Sequence, residues 1–295
     1  MKRYTFYTVD VFPEKKYAGN QLGVFRDAGE LSSAQMQEFA KEMNYSETTF
    51  ILSEKERDGG YDVRIFTPEH ELPFAGHPTL GTAFVIQQEI IREQVEKVVL
   101  NLKVGKIPVT FKYSREQVDI MWMKQINPTF GQTLKGDAMA PVLGLDENQI
   151  DDRYPIQEAS TGTPFIMCPL KTLYAVKRAS TNREKYFELI KDTEAKAVLI
   201  FCPETYGKEN NLNVRVFAHY YGVAEDPATG SANGCLAGYL VKHRYFGKDR
   251  IDIRVEQGYE IGRPSLLFLR AEVKGEEIDV FVGGKVIMIA QGEFV

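Results

Sequence analysis

The sequence predicts an α+β fold with much antiparallel pairing, and three observations carry that reading. Strand-like segments outnumber helical ones by well over two to one across the 295 residues. The regular strand–helix alternation of a doubly wound parallel sheet is absent. A third observation is repetition. Strand, polar turn and glycine-containing helix start occur as a unit twice, about 150 residues apart: RIF (64–66) with EHELPFAGHP and TLGTAFVI, then RVF (215–217) with YYGVAEDPATGS and ANGCLAGYL.

Taken in order, YTFYTVDVF (4–12), TTFIL (48–52), YDVRIFT (61–67), KVVLNLKVGKIPVTFKY (97–113) and QVDIMWM (117–123) read as a first set of strands. A second set is LYAVKR (173–178), AVLIFCP (197–203), NVRVFAHYY (213–221), RIDIRVEQG (250–258), SLLFLRAEV (265–273) and EIDVFVGGKVIMIAQGEF (277–294). Most alternate or are rich in β-branched and aromatic residues. Helical spacing marks 32–43, where a serine caps and Met36, Phe39, Ala40 and Met43 share a face. It also marks 78–91, with Pro78 at the first helical position, then 183–192 and 231–243, and a short helix lies around AMAPVLGL. Strand patterning stops near NPTFGQ (127–132), which places the break between a domain of 1–126 and one of 127–284.

Composition excludes several classes. With 41 acidic and 36 basic residues the net charge is −5, against the basic excess of a nucleic-acid binder. Cys168, Cys202 and Cys235 are isolated and odd in number, which suits a reducing compartment and no disulfide framework. MKRYTFYTVDVF alternates and contains Asp10, so it reads as a strand and not as a leader, and no apolar run reaches bilayer length. A cytoplasmic protein without membrane or nucleic-acid partners is expected. His70, His77, His219 and His243 lack ligand spacing, so no metal site is expected. GxGxxG, P-loop and GxSxG frames are missing, VGGKV reads as a strand bulge, and Ser231, His77 and Asp226 lack the context of a hydrolytic triad.

The chemistry concentrates at the two turns. A helix start carries unpaired N–H groups and partial positive charge, and so attracts a carboxylate. Gly76 and Gly230 keep side chains clear of such a ligand, and the small residues behind them let each helix lie close inside strands. Read alone, AEDPATGS is equally a capped turn. Glu47 is either a solvated residue at a strand start or a carboxyl shielded enough to shuttle protons. His77 is either structural or a donor at the helix start, and Asp226 either orients a substrate or caps its own turn.

With those residues in hand, the sequence resembles the PhzF-like family of phenazine-biosynthesis isomerases nearly end to end. The likeness runs through TFYTVDVFPEKKYAGNQLGVF (5–25), NYSETTFIL (44–52), FTPEHELPFAGHPTLGTA (66–83), EDPATGSANGCLAGYL (225–240) and EQGYEIGRPS (256–265). It implies a diaminopimelate-epimerase-like fold, in which two similar, mostly antiparallel barrels each wrap a central helix and the active site lies between them. It further implies that a strand within 285–295 returns to the first domain. By resemblance Glu47 is the general acid/base, His77 and Asp226 are its polar partners, and Gly76, Gly230, Ser231 and Asn20 hold the substrate. The superfamily's racemases carry a cysteine before each helix start, where this chain has Ala75 and Thr229. Single-carboxylate chemistry is therefore expected over two-thiol racemisation, namely a cofactor-free proton relocation on a small unsaturated carboxylic acid. An amino-acid epimerase and a non-catalytic acid-binding relative are the alternatives. The resemblance also implies a homodimer, and it names no substrate.

Overall fold

The computed structural model describes residues 3–295. The first part of the chain forms strands β1 (Tyr4–Val11) and β2 (Asn20–Phe25), helix α1 (Ser33–Met43), then β3 (Glu47–Ile51), β4 (Tyr61–Phe66) and the short β5 (Glu71–Leu72). Helix α2 (Gly76–Val85) follows, and then β6 (Lys97–Leu102), β7 (Gly105–Ser114) and β8 (Gln117–Lys124). The second part begins with β9 (Thr129–Leu134), α3 (Gly136–Leu143), β10 (Ile156–Ser160), β11 (Pro164–Pro169), α4 (Leu173–Arg178) and α5 (Arg183–Leu189). It continues with β12 (Ala197–Cys202), β13 (Leu212–Ala218), β14 (Val223–Asp226), α6 (Gly230–Lys242), β15 (Arg250–Gln257), β16 (Ser265–Lys274) and β17 (Glu277–Gly284). β18 (Val286–Phe294) comes last.

The chain divides into two compact units. One ends at Met123 and takes in Gly283–Val295, and the other is Lys124–Val282. In the first unit β18, β1 and β2 pair antiparallel in that order, and β2 pairs parallel with β3. β3–β4 and β4–β5 are antiparallel, β4–β6 is parallel, and β6–β7 and β7–β8 are antiparallel. The second unit repeats the order. β9, β10 and β11 pair antiparallel, β11–β12 is parallel, and β12–β13 and β13–β14 are antiparallel. β13–β15 is then parallel and β15–β16 antiparallel. The architecture is α+β, a mixed and mainly antiparallel set of strands with few helices. β18 stands beside β1 as β9 stands beside β10, so the last strand completes in the first unit what β9 supplies in the second.

Register turns this likeness into residue correspondences. Thr48 opposes Phe66 as Val198 opposes Phe217, so Glu47 and Ala197 hold matching places. Tyr61 pairs with Leu100 as Leu212 pairs with Val255, which matches Leu102 to Gln257. The turns align as E-x-P-x-x-G: Glu71 through Gly76 on Glu225 through Gly230.

Helix α2 is buried along its whole length. A methyl group on Gly81 would stand 2.6 Å from Leu22 and 2.9 Å from Val11, so only glycine lets β1 and β2 approach this closely. On α6, a methyl on Gly238 would meet Pro128 at 2.7 Å. Helix α1 is amphipathic and starts on a reciprocal cap between Ser32 and Gln35. Its buried Met36 and Ala40 close over Phe25, Phe50 and Phe66.

Several expectations need correction. LYAVKR (173–178) is the helix α4, because Thr172 accepts from the Ala175 N–H and two basic residues occupy the last turn. The helix expected over 78–91 begins two residues earlier, with Pro78 third, and passes into a wider π turn at Ile86–Ile91. Strand β9 occupies the stretch that the sequence reads as a break in strand patterning. At Gly283 and Gly284, which the sequence reads as a bulge, neighbours approach closely, since added methyls would stand 2.6 Å from Trp122 and 2.3 Å from Phe12.

Candidate active site

The side chains of the first unit are positioned by matched spacings. Two residues along a strand advance about 6.6 Å, much as four or five along a helix advance 6–7.5 Å. Asn20 meets His77 and Leu22 meets Gly81 along β2. Glu47 meets His77 and Thr49 meets Thr82 along β3, the two hydroxyls 2.8 Å apart. Strand alternation thus points Asn20 and Glu47 at the same helix end.

There the His77 Nε2 lies 3.4 Å from Glu47 Oε2, and its Nδ1 lies 3.4 Å from the Asn20 amide nitrogen. The Glu47 side chain is 18% exposed, and its Oε2 is enclosed. Burial pushes the His77 imidazole down to about 3, partly opposed by its bond to the Gln21 backbone. The ring is therefore neutral at neutral pH, and its contact with Glu47 is not an ion pair. A neutral imidazole can take a proton on one nitrogen while giving one from the other.

In the second unit Asp226 ends β14, and Gly230 and Ser231 open α6. Gln257, fully buried at the end of β15, ties this turn together. Its Nε2 donates to the Asp226 carbonyl at 2.8 Å and to Thr229 Oγ1 at 3.0 Å. Its Oε1 accepts from the Thr229 N–H at 3.1 Å and from Asn233 Nδ2 at 2.9 Å. The Thr229 hydroxyl donates in turn to Asp226 Oδ2.

Neither helix start is capped by a side chain. Ala75 has nothing to offer, and Thr229, which could cap, is bonded to Asp226 instead. Each turn is fixed by an arginine on the preceding strand. Arg64 Nε and Nη2 grip both oxygens of Glu71 at 2.7 Å, and Arg215 grips Glu225 at 2.9 and 2.7 Å. Glu225, which the sequence places beside Asp226, is thus structural. Cys235 is buried against Thr161, and burial raises its thiol to about 11, so it is no nucleophile.

Of the sequence-predicted residues, Asn20, Glu47, Gly76 and His77 come together in the first unit, and Asp226, Gly230 and Ser231 in the second. Sequence reasoning missed Gln257 and the two arginines, and it read Thr229 as a cap where its hydroxyl bonds Asp226 instead. The arginines did carry a signal: RIF and RVF are each followed by a glutamate five residues before the helix-start glycine. Among the described residues no cluster of three or more His, Cys, Asp or Glu is placed to hold a metal, and no helix is long and apolar enough to cross a membrane.

Comparison with known proteins gives these residues a context. The PhzC-PhzF family pattern, described as phenazine biosynthesis-like protein, matches residues 9–292. A trans-2,3-dihydro-3-hydroxyanthranilate isomerase of Pseudomonas aeruginosa is 34% identical over 293 residues, covering 99% of each chain. A crystal structure of a PhzF-family phenazine biosynthesis protein from Bacillus anthracis superposes with a TM-score of 0.91 at 26% identity, covering all of both chains. A hydroxyproline epimerase from Agrobacterium vitis shares the fold at a TM-score of 0.62 and 10% identity, with 100% of this chain and 91% of that one covered. The chain belongs to the PhzC-PhzF, phenazine biosynthesis-like family of isomerases.

Proposed function

We propose that this protein moves a double bond in a small unsaturated carboxylic acid by relocating one proton, with Glu47 as the acid/base and without a cofactor. The observation that carries the reading is the enclosed Glu47 oxygen facing the neutral, buried imidazole of His77. A carboxylate in that setting can take a proton from carbon, and the neutral His77 ring can hydrogen-bond the carboxyl without adding charge beside it. The 3.4 Å contact is long for a hydrogen bond, and catalytic contacts commonly tighten only around the substrate.

The uncapped helix starts support the second half of the reading. Their N–H groups suit the substrate carboxylate, which becomes the electron sink as the carbon loses its proton. Gly76, Gly230 and Ser231 border that anion, and Asn20 holds the His77 ring in place. Asp226 serves as the second polar group on the same substrate, returning or steering the proton at another carbon. Family resemblance further implies that each unit is a barrel around its buried helix. Two-thiol racemisation is disfavoured, because Ala75 and Thr229 occupy the positions directly before the helix starts.

The test is incubation of the wild-type enzyme in heavy water with trans-2,3-dihydro-3-hydroxyanthranilate, the acid in the relatives' name, and with other unsaturated acids. Isomerisation with one deuterium incorporated at carbon is expected. Binding without exchange, found for every acid including that one, would contradict the reading.

A further inference from the structure

We infer that Thr229 and Gln257 are positioning residues that act as one hydrogen-bonded chain of fixed polarity on the Asp226 carboxyl. The inference rests on the proposed role of Asp226 and adds to it the groups that orient that carboxyl. The polarity follows from groups that have no choice. The Thr229 N–H can only donate, so the Gln257 atom 3.1 Å away is its oxygen. The Asp226 carbonyl can only accept, so the atom 2.8 Å from it is the amide nitrogen. That nitrogen also reaches Thr229 Oγ1 at 3.0 Å, so the hydroxyl accepts there and its own proton is directed onto Asp226 Oδ2. Both donors and both acceptor sites of Gln257 are thereby used, two of them on Thr229 and one on Asp226.

The repeat supplies an independent argument. At the matching places the first unit has Leu72 for Asp226, Ala75 for Thr229 and Leu102 for Gln257. The surrounding scaffold is retained. Asn101 bonds Asp62 at 2.9 Å where Glu256 accepts from Asn213 at 3.1 Å, and the arginine grips are alike. The three polar groups are absent together from one unit and present together in the other. A turn of this shape therefore does not need them, and their purpose is the carboxyl they orient.

The experiment measures kcat and KM for trans-2,3-dihydro-3-hydroxyanthranilate with Thr229→Val, Thr229→Ser, Gln257→Glu and the double variant Thr229→Val/Gln257→Glu. Melting temperatures and an Asp226→Asn control accompany them. Thr229→Val removes the donor at constant shape and should lower kcat by about tenfold or more with KM within about twofold, since the hydroxyl acts through the proton-carrying group. Thr229→Ser restores the hydroxyl and should recover most of the rate. Gln257→Glu cannot donate to Thr229, and the double variant should be no slower than Thr229→Val, because both break one chain. Thr229→Val at the wild-type rate, or losses that multiply in the double variant, would overturn the inference. If Asp226→Asn is impaired while Thr229→Val is not, the chain fails and the proposed function stands. If the wild type itself shows no turnover or exchange with any acid, both fall.

Discussion

In the first unit Arg64 grips Glu71 five residues before a helix-start glycine, and in the second Arg215 grips Glu225 at the same spacing. Each guanidinium also lies over the phenylalanine two residues on, Phe66 at 5.0 Å and Phe217 at 4.9 Å. The chemical residues diverge at matching places: Glu47 against Ala197, His77 against Ser231, Leu72 against Asp226. What holds the turn is shared, and what the proposed reaction uses is not. The comparison separates stability from chemistry, since groups common to both units build the helix start and the groups proposed to perform a step are particular to one unit.

The sharpest way to break this comparison is to remove a grip. Arg215 and Glu225 are both about nine-tenths buried, and Arg215 also donates to the Val176 and Ala179 carbonyls at 2.8 and 2.7 Å. Arg215→Met should cost about 3–5 kcal/mol, because Glu225 stays buried without its partner. Arg64 is more exposed and Glu71 keeps Lys103 at 2.6 Å, so Arg64→Met should cost less, about 1–2 kcal/mol. Urea unfolding checks the order, and equal losses would mean that burial and the Lys103 contact do not set the strength of the two grips.

Crowding at the helices is the next test. Gly81→Ala and Gly238→Ala should each destabilise by about 1–3 kcal/mol despite alanine's better helix propensity, since the methyls would sit 2.6 Å from Leu22 and 2.7 Å from Pro128. Stabilisation by either, in thermal unfolding, would show that the helix has room to shift.

A smaller effect distinguishes the units by pH. His77 is depressed to about 3 in the fold against an ordinary 6.5, so between those values the unfolded chain binds a proton that the native one does not. Stability should then fall with acidification by up to about 1.4 kcal/mol per pH unit below 6.5. His77→Gln should flatten that slope, as read from unfolding midpoints between pH 7 and 5. Above pH 7 both states are neutral at this residue and no difference is expected.

The fold class was legible because long alternating strands such as RIDIRVEQG and YDVRIF dominate the chain. Strands β2, β10 and β11 were not, for local reasons. NQLGVF contains glycine and asparagine, and PFIMCP starts and ends on proline and is buried from Phe165 on without alternation. LYAVKR misled because six residues cannot separate the two periods, and its cap lies outside them in Thr172. Glu47, His77 and Asp226 could be picked out as residue types at turn and strand starts. Their partners could not, because Gln257 looks like any polar residue in a strand until β15 lies parallel to β13 and delivers it to the turn. Pairing across the fold, and not spacing along it, assigns such groups.

One measurement bears most directly on the division of labour between the units: deuterium uptake from heavy water by the bound acid, compared between wild type and Glu47→Gln, with binding followed by calorimetry. The account predicts that the amide variant still binds but loses exchange by about a hundredfold or more, since a general base contributes on that order. Exchange at the wild-type rate in Glu47→Gln would remove this glutamate from the reaction and contradict the account.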